Sequence, residues 1–125
     1  MLGKPIPKKM REEMSNDPTY QSCLRQRVLS DHVCQEAPVT GRLIEWEHAM
    51  YLAGSRLNEK WAIIPICWLV HRGSLLNKQI NEWLALNRAT DEELAKYPRA
   101  GFKERRDMLN RRYGVPDLST GNAPF

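Results

Sequence analysis

EHAMYLAGSRLNEKWAIIPICWLVH, residues 47–71, is the stretch that decides the fold. It opens on Glu47-His48, loops through Asn58, enters the apolar run Trp61-Ala62-Ile63-Ile64-Pro65-Ile66, and ends Cys67-Trp68-Leu69-Val70-His71. Arg42 to Trp46 just before it predicts a short strand, with Ile44 and Trp46 on one side and Leu43 and Glu45 on the other. Trp61 to Ile66 predicts a second, more buried strand, with Pro65 near its end and away from the middle of a ladder. Between them, 49–60 contains Gly54 and Asn58 and reads as an ordered loop with room for one helical turn.

Outward from this stretch the pattern becomes helical. From Trp68, Leu76, Ile80, Trp83, Leu84 and Asn87 fall on or near one face, while Lys78, Gln79 and Glu82 face out. Thr90 with Glu93 forms a capping box for a helix running to Lys96 or Tyr97 and closed by Pro98. A basic helix follows over Phe102–Tyr113, stopped by Gly114, and the tail to Phe125 is expected to be flexible. Upstream, 8–14 predicts a short helix ended by Ser15-Asn16-Asp17-Pro18, and 19–36 shows no sustained period. The fold class expected is a small α+β domain.

Composition bounds the function. A chain of 125 residues with 42% hydrophobic content supports one modest core, which a metal tether would supplement. The net charge of +4 mildly favours a polyanionic partner. Neither a signal peptide nor a membrane span is legible, so a cytoplasmic protein with reduced thiols is expected.

All three cysteines and all three histidines fall between Cys23 and His71. Cys67 and His71, four residues apart, would meet on one helical face, so both could reach one ion or two neighbouring ions. Cys23 and Cys34 have ten residues between them, wider than an ordinary zinc knuckle, and buried cysteines also serve as small hydrophobes. Glu47-His48 offers a carboxylate for a divalent ion and an imidazole to take a proton from water. Taken alone, such a pair is more often a solvated glutamate beside a half-buried histidine.

Residues 42–71 resemble the ββα-metal finger of HNH endonucleases within a treble-clef zinc arrangement, and 20–87 are similar to small HNH-like phage and prophage proteins. The pieces that carry the likeness are Cys23, Cys34, the run from Arg42 to Ala49, Tyr51-Leu52-Ala53-Gly54, the run from Asn58 to Trp68, and His71. The resemblance implies His48 as general base, Glu47 and His71 as ligands of a catalytic Mg²⁺ or Mn²⁺, and Asn58 as the orienting amide. It implies Cys23, Cys34 and Cys67 as ligands of a structural Zn²⁺. Val70 stands where the motif commonly has a further zinc ligand, so the zinc and the catalytic ion compete for His71 unless water or His32, more often a surface imidazole beside Asp31, fills the gap. Asn58 lies earlier than the usual middle Asn, where this chain has Trp61 and Ala62.

This reading divides the chain into a basic segment 1–18, an HNH-like core 19–98, a basic helix 99–114 packed on or flanking it, and a tail 115–125. The function it implies is DNA phosphodiester hydrolysis in a bacterial host cell, with phage or host recombination or packaging proteins as partners. Arg72, Lys103, Arg105, Arg106, Arg111 and Arg112 are the candidate DNA contacts, against a solvated basic face. Trp46, Trp61, Trp68 and Trp83 are expected in the core. The alternatives are a zinc-stabilised nucleic-acid-binding protein without catalysis and a small protein-interaction module.

Overall fold

The computed structural model describes residues 5–29, 44–67 and 78–118. Its centre is an antiparallel pair, β1 (Ile44–His48) with β4 (Ile63–Cys67), in the register Ile44↔Cys67, Trp46↔Pro65, His48↔Ile63. Ile63, Ile64 and Ile66 are all buried. Ile64 and Ile66 join the large cluster with Trp83, Leu84 and Leu109, while Ile63 joins Met14 and Tyr20 on the other face. Burial on both faces is why this strand reads as a continuous apolar run.

Pro65 sits in the middle of β4, not near its end as the sequence suggests. The ladder phase explains the tolerance. Ala49 N–H donates to Ala62 C=O at 2.9 Å, so by alternation the Trp46–Pro65 pair is one of the pairs that exchange no hydrogen bonds. The missing N–H of Pro65 therefore costs the β1–β4 ladder nothing.

On the outer edge of β4, the first carbonyl is satisfied by side chains. Ile63 C=O accepts from the Tyr20 hydroxyl at 2.9 Å and from Arg88 Nη1 at 3.0 Å. Arg88 Nη2 donates to the Tyr20 oxygen at 2.9 Å, and its guanidinium lies 4.9 Å from the Tyr20 ring centroid. Tyr20 also contacts Lys60 C=O and packs edge-on against Trp46. Burial, the largest influence, raises the pKa of this phenol despite the nearby Arg88. The phenol thus joins the N-terminal segment, the sheet edge and the central helix.

That N-terminal segment begins with α1 (Lys8–Ser15), one residue longer than expected, whose Met14 is fully buried. Asp17 then accepts from Thr19 N–H at 2.9 Å and sets a 3₁₀ turn at Pro18–Tyr20. The aperiodic stretch from 19 includes this turn and a six-residue helix, α2 (Leu24–Leu29), packed on β4. A helix this short is held by tertiary burial, which leaves little periodic signal to read.

Between the strands of the central pair, the expected loop is a small hairpin, β2 (Tyr51–Leu52) with β3 (Ser55–Arg56). Its two turn residues, Ala53 (φ 51°) and Gly54 (φ 83°), both have positive φ, the requirement of a tight hairpin turn matching strand twist. Trp61 and Ala62, expected in the strand, form a 3₁₀ turn instead (Lys60–Ala62).

Three helices complete the described architecture: α3 (Lys78–Arg88), α4 (Asp91–Ala95) and α5 (Phe102–Tyr113). α5 has the bounds read from the sequence, with Gly114 at φ 88° ending it. It packs on α3 through Leu109 and a reciprocal amide pair, Asn87 with Asn110, at 2.8 and 3.1 Å. Trp61 and Trp83 are buried, and Trp46 is half-buried against Tyr20. No helix of the described residues is long and apolar enough to cross a membrane.

Both halves of the Thr90–Glu93 capping box form, at 3.1 and 2.9 Å. Thr90→Ala should lower the unfolding free energy by about 1 kcal/mol, readable as a shift in the denaturant midpoint.

Tyr97, just beyond α4, donates its hydroxyl to Glu59, which also pairs with Lys96 at 3.1 Å. Burial, then the Glu59 carboxylate, pushes the Tyr97 pKa from 10.0 up to about 12. Because the neutral phenol is favoured in the folded state, its contribution is complete below pH 10.0 and is lost as pH climbs through about 12. Denaturant melts across that window should show a falling stability that Tyr97→Phe flattens. An identical slope in the variant would exclude this origin.

Candidate functional site

His48 closes β1 and Asn58 follows β3, ten residues later. The intervening chain doubles back through the β2–β3 hairpin, and Leu57 N–H donates to Met50 C=O at 3.1 Å. This brings the residues flanking the hairpin face to face. His48 Nε2 and Asn58 Oδ1 meet at 2.8 Å.

The amide fixes the imidazole tautomer. Asn58 Nδ2 donates to Pro5 C=O at 3.1 Å, which turns Oδ1, an acceptor only, toward His48. His48 Nε2 must therefore carry the proton, and in the neutral ring the lone pair falls on Nδ1. Nδ1 makes no hydrogen bond among the described residues. The orienting role expected of Asn58 thus has a geometric counterpart, and the segment at Pro5, which the sequence reading passed over, supplies its anchor.

Glu47 precedes His48 and lies opposite Ile64, while His48 lies opposite Ile63. Strand alternation sends the two side chains to opposite faces. Both are half-buried and both border two clefts that meet at this strand end. One cleft, about 510 Å³, lies toward α3 and the start of α5, with Asn81, Glu82, Phe102 and Arg105 in its walls. The other, about 590 Å³, lies toward the N-terminal segment and includes Arg11 and Arg56. Arg11 and Arg56 are exposed.

Of the thiols, Cys23 and Cys67 are buried in the same cluster, at the start of α2 and the end of β4. Cys34, His71, Arg72 and His32 lie outside the described residues. Among the described residues no three His, Cys, Asp or Glu side chains converge to hold a metal ion. What is described of each expected ligand set has the right chemistry: a carboxylate for a hard divalent ion, two thiols for zinc.

The arginines of α5 are largely committed within the protein. Arg105 grips Glu82 with two bonds of 2.9 Å, and that hydrogen bonding raises its pKa further. Arg106 pairs with Asp91 at 2.8 Å and lowers the pKa of that carboxyl. Arg112 donates to the Gln79 carbonyl at 2.9 Å and lies over Tyr113. Lys103 and Arg111 are exposed.

Arg11, Arg56, Tyr51 and Asn81 line the two clefts and are not among the site candidates read from the sequence. Asn81 had a signal: a polar residue beside Ile80 and between the apolar positions of α3, where it is 2% exposed. Compared with protein-family models, curated proteins and solved structures, the chain matches none.

Proposed function

We propose that this protein is a metal-dependent DNA endonuclease of HNH type, with His48 as its general base. The observation that carries the proposal is the Pro5–Asn58–His48 relay, which presents a basic Nδ1 at the end of a strand bordering two clefts. The antiparallel pair supports it too: β1 and β4 supply the two strands a ββα finger needs, and the start of the helix expected from Trp68 lies outside the described residues.

In the reaction, His48 Nδ1 takes a proton from water as the water oxygen bonds to phosphorus. The P–O3′ bond breaks, and the departing 3′-oxygen takes a proton from solvent. Asn58 keeps the ring in the competent tautomer and accepts from Nε2–H as the imidazolium forms. Glu47, with His71, would hold Mg²⁺ or Mn²⁺, which when bound neutralises charge on the phosphate and on the leaving oxygen. Cys23, Cys34 and Cys67 would hold the structural Zn²⁺.

For the DNA backbone, the geometry favours Arg11 and Arg56 over the α5 arginines. They border the cleft toward the N-terminal segment, which His48 also lines, and make no ion pair among the described residues, whereas Arg105 and Arg106 are already paired. The decisive experiment is DNA cleavage with Mg²⁺ or Mn²⁺ by the wild type and by His48→Ala. Equal cleavage by the two proteins would remove the proposal.

A further inference from the structure

The cleft of about 510 Å³ between the end of β1, α3 and the start of α5 contains one group that nothing above employs. Asn81 is 2% exposed, and its Oδ1 has no hydrogen-bond partner among the described residues. Buried amide oxygens are nearly always paired, and an orphan one on a residue that lines a cavity calls for a partner from outside the chain once the amide turns toward it. The amide has both a donor and an acceptor end, and which end faces the cavity is a matter of a half-turn about its last bond.

The surroundings limit what that partner is. Glu82 and Arg105 neutralise each other and Glu47 is balanced by Lys78, so the walls carry no net charge and do not select an ion of either sign. Phe102 and Met50 contribute apolar surface, and Tyr51, 45% exposed, borders the opening. A neutral planar group with adjacent donor and acceptor fits this combination. A nucleobase is such a group, with a ring that can stack on an aromatic side chain. Asparagine pairs in two-point fashion with the N6/N7 edge of adenine.

We propose that this cleft receives one unpaired nucleobase of a DNA strand, with Asn81 reading its edge in favour of adenine and Tyr51 stacking at the entrance. The choice of DNA rests on the nuclease proposal, since the cleft shares Glu47 and His48 with that site. It makes the preferred substrate a strand with an unstacked base beside the scissile phosphate, not an intact duplex.

The test is fluorescence anisotropy with labelled single-stranded oligo-dA and oligo-dT of equal length and the corresponding duplex, with no Mg²⁺ or Mn²⁺ added so that no strand is cut and any bound zinc is kept. The wild type should bind oligo-dA about tenfold more tightly than oligo-dT, and both better than the duplex. Asn81→Leu should erase the base preference while melting no lower than the wild type, because it removes an unpaired buried amide. Tyr51→Ala, at an exposed position, should weaken both single strands alike. Equal binding of the two homopolymers, tighter binding of the duplex, a preference surviving in Asn81→Leu, or collapse of that variant's fold would each overturn the proposal. A base preference with no cleavage under Mg²⁺ or Mn²⁺ would support the pocket and sink the nuclease alone.

Discussion

His48→Ala is expected to lower Mg²⁺- or Mn²⁺-dependent DNA cleavage by about 10²–10⁴-fold, the usual contribution of a positioned general base. The fold should survive. His48 is half-buried at a strand end, and its side-chain hydrogen bond goes to Asn58, which keeps its bond to Pro5 C=O. Asn58→Ala should cost less, because the imidazole remains and loses only its orientation. Circular dichroism should be unchanged in both variants. Should Asn58→Ala cut as fast as the wild type, the tautomer argument fails even if His48 is essential.

The largest effect on stability is expected at Tyr20. Tyr20→Ala should destabilise the protein by about 3–5 kcal/mol, the range for deleting a large buried ring. Tyr20 is 1% exposed and packs with Met14, Ile63 and Trp46. Tyr20→Phe keeps the ring and isolates the hydroxyl. It should cost about 1–3 kcal/mol, because Ile63 C=O loses one of its donors and Arg88 loses an acceptor. Denaturant melts at neutral pH give both numbers. A Phe variant as stable as the wild type would mean that Arg88 alone satisfies the β4 edge.

Some elements were legible because their signals are local. The Thr90–Glu93 box and the helix from Phe102 to Gly114 depend on contacts within four residues, and both appear where the pattern puts them. The β2–β3 hairpin was missed because only one of its two positive-φ positions is glycine; Ala53 takes the other. α2 was missed because six residues cannot show a period. Pro65 was misplaced because ladder phase, and not strand length, decides where a proline is tolerated. At the site, the sequence could nominate His48, Glu47 and Asn58, but the contact between His48 and Asn58 depends on a hairpin it did not reveal.

A mixed α+β chain, a second and more buried strand, two capped helices and a histidine beside a carboxylate are all legible in the sequence. Those follow from periodicity and capping, which act over a few residues. Tertiary packing alone makes Asn58 and Pro5 set the tautomer of His48, brings Tyr20 and Arg88 to Ile63 C=O on the sheet edge, and leaves Asn81 Oδ1 buried without a partner among the described residues. Each depends on groups far apart in the chain being brought within hydrogen-bond reach, or failing to be. Such pairing is fixed by how the elements pack, which no local pattern encodes.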